Sequence, residues 1–285
     1  MIIFLGLDNA GKTSIKVYLE TLDIEKAKNT KMSNQVEVYQ RGKMRIEIFP
    51  GQKLLRMKER LYEVFFPYAK RIAFIVDSAD KDRIPEVREY WGFVKSMITK
   101  YCEKTPEIIL VAHKQDLQGA LSAKELMNLI LDKEDQRKYS IIPVETTIYD
   151  PISMSLLLRA LHGGHKLGID QVVDSLRERT DAELAFIYDN HLLPIATSVK
   201  SKDETMMRRL NDIVIALEKV GELRIMAGYF ADGKNIIIVS DRVSDERILV
   251  GIYNFSTQLR EAIIQCKNVS KYYLKEMRER MWESL

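Results

Sequence analysis

The chain predicts an α/β fold: a mostly parallel sheet with helices on both faces, followed by a smaller α+β domain with an antiparallel sheet. Three observations predict it. Short apolar runs alternate with helix-period segments over residues 1–161. A glycine-rich loop, Gly6-Leu7-Asp8-Asn9-Ala10-Gly11-Lys12-Thr13, separates the first apolar run from the first helical segment. Beyond the glycine-dense stretch His162-Gly163-Gly164-His165-Lys166-Leu167-Gly168 the order becomes helix, two strands, helix, three strands, helix.

The elements follow in turn. Met1-Ile2-Ile3-Phe4-Leu5 is a buried strand, and residues 14–22 are helix-compatible. Residues 35–39 and 44–49 form a hairpin around Arg41-Gly42-Lys43. Residues 57–68 are helical and unusually apolar, and 71–76 are a buried strand. A long amphipathic helix covers 83–101, a strand 107–112 and a helix 122–131. A strand at 141–145 and a helix at 151–161 close this part. Apolar strands without alternation mean a sheet buried on both faces. Residues 162–168 read as a linker between domains 1–161 and 169–285. In the second domain a helix is expected at 169–179, strands at 184–188 and 193–199, and a strongly periodic helix at 204–220. Strands at 223–230, 235–239 and 247–253 follow, the first two joined at Asp232-Gly233, with a final helix from Ser256.

Composition removes several classes of function. The 44 basic and 41 acidic residues nearly cancel, which argues against nucleic acid or an anionic membrane as a direct partner. Two cysteines, Cys102 and Cys266, make neither a disulfide framework nor a metal cluster and fit a reducing cytoplasm. His162 and His165 are too few ligands for a metal. No stretch is long and apolar enough to span a bilayer, and neither end carries a lipidation signal. Membrane residence is therefore expected only through a partner or an exposed amphipathic face.

The glycine loop has the pattern G-x-x-x-x-G-K-[ST] in the strand–loop–helix context that binds phosphate. Its backbone N–H groups and the helix dipole would hold the β-phosphate. Lys12 would reach the β- and γ-phosphates, and Thr13 would place its hydroxyl on Mg²⁺. The base is read by a second motif, His113-Lys114-Gln115-Asp116, at the end of a buried strand. The Asp116 carboxylate can accept from guanine N1–H and the exocyclic amine, a donor pair adenine does not offer. The Lys114 stem can lie along the purine.

At these residues the chain resembles the Ras-like GTPases, and within them the Arf and Rag/Gtr branches. The phosphate loop is close to the Arf type. Three features resemble Rags more: His113 in H-K-x-D, Phe49-Pro50-Gly51-Gln52, and Thr146-Thr147-Ile148-Tyr149-Asp150. By element order, residues 169–285 look like the roadblock (longin-like) domain through which Rags pair. The resemblance implies a G domain with GTP or GDP and Mg²⁺ as ligands, a homo- or heterodimer through the C-terminal domain, and an effector at the switch regions. It assigns Asp8, Asn9, Ala10, Gly11, Lys12, Thr13 and Ser14 to the phosphate loop. Gly51 would give its N–H to the γ-phosphate, Gln52 would orient the attacking water, and Thr147 and Ile148 would lie beside the guanine. Thr30 is the candidate switch threonine on Mg²⁺, the alternative being a plain surface threonine.

One position departs from the family pattern. The residue before F-P-G-Q is an aspartate in Rags and Ile48 here, and the adjacent Glu47 faces the other side of the strand. Either Thr13, phosphates and water hold Mg²⁺, or a carboxylate from elsewhere substitutes. The expectation is tight nucleotide binding with slow intrinsic hydrolysis, with Lys12 and Gln52 as the catalytic pair. The second reading is a nucleotide-binding scaffold that hydrolyses poorly. A metabolic P-loop kinase or ATPase is the third, and the His113–Asp116 motif argues against it. Leu54, Leu55, Met57, Leu61, Tyr62, Phe65 and Phe66 either pack on the sheet or form a nucleotide-ordered effector patch.

Overall fold

In the computed structural model the central strands of the first sheet bury side chains on both faces. Along β4 (Arg71–Asp77), Ile72, Phe74 and Val76 join one apolar cluster, while Ala73 and Ile75 are buried on the opposite face. β1 (Ile2–Leu5) and β5 (Glu107–His113) alternate in the same way. A strand with no wet face has no need of polar alternation, which is why these segments read as continuous apolar runs.

The structure describes residues 1–21, 23–41, 44–163, 169–189, 194–201, 213, 224–243 and 246–283. By contact the chain divides into two compact units, Met1–His162 and Gly163–Leu285. In the first, β2 (Glu37–Arg41), β3 (Met44–Ile48) and β6 (Ile141–Thr146) complete a six-stranded sheet ordered β2-β3-β1-β4-β5-β6. Every neighbour pair is parallel except β2 with β3. The carboxyl ends of β1, β3, β4, β5 and β6 therefore share one edge, the edge where such sheets bind ligands.

Helix α1 (Lys12–Thr21) follows the glycine loop. The predicted helix over 57–68 is divided into α4 (Glu59–Phe65) and a single 3₁₀ turn, and a separate four-residue helix, α3 (Lys53–Arg56), precedes it. Tyr62 and Phe66 are fully buried there, with Met57, Leu61 and Phe65 packed against the same core. Leu54 is left 87% exposed. Most of this apolar segment is core, because Phe49 meets Tyr62, Phe65 and Phe66 in ring contacts.

α5 (Ile84–Tyr101) buries Trp91, whose indole N–H donates to Asp135 Oδ2 at 2.9 Å. α6 (Ala123–Ile130) and α8 (Pro151–His162) lie close to their predicted bounds. Two short helices carry no apolar period that the sequence could reveal. α2 (Ile24–Lys28) is started by Asp23, which accepts from Lys26 N–H, and α7 (Lys133–Lys138) by a capping box between Asp132 and Asp135.

The second unit holds a five-stranded antiparallel sheet ordered β8-β7-β11-β10-β9. Its strands are β7 (Leu184–Asp189), β8 (Pro194–Val199), β9 (Ile225–Tyr229), β10 (Asn235–Val243) and β11 (Glu246–Tyr253). α9 (Ile169–Thr180) and α10 (Leu259–Glu283) bury one stripe each against it. Val173 and Leu176 from α9 meet Ala262, Cys266 and Val269 from α10 in the same core as Ile187, Ile237 and Val250. The helix expected at 204–220 lies outside the described residues except for Ile213, as do Asn190, His191 and the stretch from Gly164 to Gly168.

Candidate nucleotide-binding site

β1 ends directly in the glycine loop. Asn9 adopts a left-handed conformation (φ 62°), which asparagine tolerates better than most residues. Lys12, the first residue of α1, folds back over the loop: its Nζ donates to the carbonyl oxygens of Gly6 at 2.8 Å and Leu7 at 2.7 Å. Burial lowers its ammonium to about 7, against an opposing pull from Asp8. The first turn of α1 has no acidic residue, so its dipole and free N–H groups face the cleft uncompensated.

Asp8, Asn9, Ala10, Gly11, Lys12, Thr13 and Ser14 line one wall of an open cleft. Thr30, Glu37, Ile48, Phe49, Pro50, Gly51 and Gln52 line the rest with residues 31–33 and Gln35. Thr30 Oγ1 lies 3.0 Å from Ser14 Oγ, so the predicted switch threonine stands beside the phosphate loop. Gly51 approaches that loop so closely that a Cβ there would fall 2.3 Å from Asp8 N. Asp8 N–H donates to Gly51 O at 3.1 Å. Gln52 Nε2 donates to Asn34 Oδ1 at 2.9 Å, while its Oε1 is buried without a partner.

On the other side the structure brings together the residues expected to read the base. Lys114 takes a left-handed φ of 64° and its Nζ donates to Asp77 Oδ2 at 2.6 Å. Exposed Asp116 accepts from Thr147 Oγ1 at 2.5 Å. Thr147 N–H in turn donates to Ser153 Oγ at 3.1 Å, and Ile148 is buried. His113 links the two sides. Its Nδ1 is 2.8 Å from Thr146 Oγ1, and its ring packs on Gly11. Desolvation lowers its pKa to about 4, with the Lys114 charge adding to the effect.

Sequence reasoning missed a ring of charge beneath the cleft. Arg83 donates to Asp8 Oδ1 at 2.7 Å, to Asp8 O at 3.0 Å and to Glu86 Oε2 at 2.9 Å. The buried Arg56 donates to Glu86 Oε1 at 2.6 Å and to Gly51 O at 2.7 Å. Hydrogen bonding to Arg83 first, then to Arg56, holds the Glu86 carboxyl below its usual range. Asp77 and Ser78 were also missed, although both stand where β4 reaches the ligand edge. Ser78 Oγ donates to His113 O at 2.5 Å.

The donors around the cleft are oxygens, from Thr13, Thr30, Glu37 and the loop backbone, a set that suits Mg²⁺. Lys12 and the loop N–H groups suit phosphate. Ile48, 3% exposed, adds an apolar surface where the family pattern has an aspartate.

The sequence model of the ADP-ribosylation factor family matches residues 1–156. ADP-ribosylation factor K of Dictyostelium discoideum is 29% identical over 153 residues, covering 53% of this chain and 78% of that protein. ADP-ribosylation factor 1 of Brassica rapa subsp. pekinensis is 32% identical over 143 residues, 49% of this chain and 75% of that protein. ADP-ribosylation factor-like protein 5 of Caenorhabditis elegans is 33% identical over 126 residues, 44% and 67% respectively. These matches fall on the unit that carries the cleft, and they imply guanine nucleotide and Mg²⁺ as its ligands. The chain belongs to the ADP-ribosylation factor family, and its first unit is a GTPase domain.

Proposed function

We propose that the chain is a Rag/Gtr-type switch: residues 1–161 bind GDP or GTP and hydrolyse GTP slowly, and residues 169–285 pair through a roadblock-like domain after a linker at 162–168. The observation that carries the reading is His113. The H-K-x-D histidine packs its ring on Gly11 and bonds Thr146, so base-reading strand ends and phosphate loop meet through one side chain.

The residues then have defined tasks. Lys12 exchanges two carbonyl acceptors for phosphate oxygens. Thr13 and Thr30 offer hydroxyls to Mg²⁺, which when bound offsets the negative charge of the β- and γ-phosphates. Gly51 N–H would face the γ-phosphate, and Gln52, which lines the cleft, would turn its amide away from Asn34 to orient the attacking water. Asp116 and Lys114 hold the guanine, with Thr147 and Ile148 beside it. Ile48 withholds a carboxylate from the metal side, which supports slow turnover.

Pairing is supported by the second unit's sheet. β9 is an end strand bonded to β10 alone among the described strands, with Ile225 40% and Tyr229 80% exposed. Such an edge is a template for a second chain. Among the described residues no helix is long and apolar enough to cross a membrane. We place the protein in the cytoplasm, reaching membranes through a partner, with effectors at the switch segments.

The test is direct. GDP and GTP should compete for one site that equal ATP leaves occupied, and single-turnover hydrolysis should be slow. Rapid hydrolysis would overturn the slow-switch reading, and ATP displacing GTP at equal concentration would overturn guanine selectivity. Binding with no hydrolysis would favour the scaffold reading that Ile48 suggests. Light scattering that gives a 33.1 kDa monomer at high concentration would remove the homodimer.

A further inference from the structure

The carboxylate absent from β3 has a counterpart on the neighbouring strand. Ile48 pairs in register with Glu37 of β2. Directly opposed residues of an antiparallel pair project to the same face about 5 Å apart. Both line the cleft, together with Thr13, Thr30 and Gly51. Glu47, adjacent to Ile48, does not line it: its carboxylate accepts from Arg45 Nε at 2.7 Å.

We propose that Glu37 supplies the carboxylate of the Mg²⁺ site that β3 lacks, released to it from Lys16. The inference rests on reading the cleft as a site for guanine nucleotide and Mg²⁺. Glu37 Oε2 accepts from Lys16 Nζ at 2.9 Å. Lys16 has a second carboxylate, Glu20, at 3.6 Å, so it keeps a partner when Glu37 turns to the metal. The Glu37 side chain is only 18% exposed, and its charge is felt at Lys12, at the phosphate end of the cleft. β2 lies one place further than β3 from the phosphate loop, and the extra methylene of glutamate over aspartate offsets part of that distance.

The test is the Mg²⁺ dependence of fluorescent N-methylanthraniloyl-GDP release from the full chain, starting in EDTA. Glu37→Gln should weaken the Mg²⁺ midpoint by roughly tenfold, the loss typical of a removed metal-supporting group. Lys16→Gln keeps the carboxylate and frees it, so it should leave the midpoint unchanged or tighten it. Ile48→Asp, added to Glu37→Gln, should restore it. A Glu37→Gln midpoint within about twofold of the parent would overturn the inference while leaving the nucleotide site standing. So would equal weakening in Lys16→Gln, since the ion pair would then be structural. If the unsubstituted chain holds no GDP at any Mg²⁺ concentration, the reading of the cleft fails first and the inference with it.

Discussion

His113 lies so close to Gly11 that a Cβ on the glycine would fall 2.3 Å from His113 Cδ2. With Gly11 at φ 93°, backbone conformation and available space both require glycine here. The imidazole is thereby sealed under the phosphate loop, 2% exposed, and burial holds its pKa at about 4.

That burial predicts a pH-dependent stability. Unfolded, the imidazole titrates near 6.5; folded, near 4. Between these values the unfolded chain holds the extra proton. Stability is therefore full above about 6.5, falls as the pH drops towards 4, and levels off below, a loss of about 3 kcal/mol. Urea denaturation followed at Trp91, in a Trp282→Phe background, should show this slope, and His113→Asn should flatten it. An unchanged slope in the variant would assign it to other groups.

Lys12 predicts proton uptake. Its ammonium sits at about 7 because it is buried, and an anionic phosphate beside it would raise that value. GDP binding at pH 8 should take up close to one proton, and affinity should fall by up to about tenfold per pH unit above 7. Calorimetry in two buffers of different ionisation enthalpy would read it. No buffer dependence would mean Lys12 is charged before the ligand arrives.

Asp116 predicts base selectivity. Asp116→Ala removes the acceptor proposed for two guanine donors and leaves the phosphate loop intact. GTP affinity should fall by about 100-fold or more, with ATP affinity little changed. Equal losses for both nucleotides would point to collapse of the Asp116–Thr147 loop.

Arg56 ties the segment after β3 to the core. It is buried, bonded to Gly51 O and Glu86, and its guanidinium lies 5.2 Å from the Tyr90 ring centroid. Arg56→Met should destabilise the first unit by about 1–2 kcal/mol, since Gly51 O keeps the Asp8 N–H and Glu86 keeps Arg83. Glu86→Gln should cost more, because it leaves the buried Arg56 guanidinium without its counter-charge. Thermal denaturation of both variants would rank them, and the reverse order would show that Arg56 does not depend on Glu86 for its counter-charge.

The sequence by itself determined the class of fold and the local motifs. Apolar runs without alternation, short and rich in Ile and Val, read as strands buried on both faces, and G-x-x-x-x-G-K-[ST] between strand and helix makes its own backbone cradle. Those signals are local, written in neighbouring residues. Short polar helices such as Lys133–Lys138 escaped because capping, and no apolar stripe, holds them. The tertiary structure decided what meets between distant segments: His113 with Gly11, Arg83 with Asp8, Arg56 with Glu86, and Glu37 opposite Ile48. Each of these joins positions whose separation along the chain carries no period. Strand order and register set the distances between them, and these come from packing the whole sheet at once.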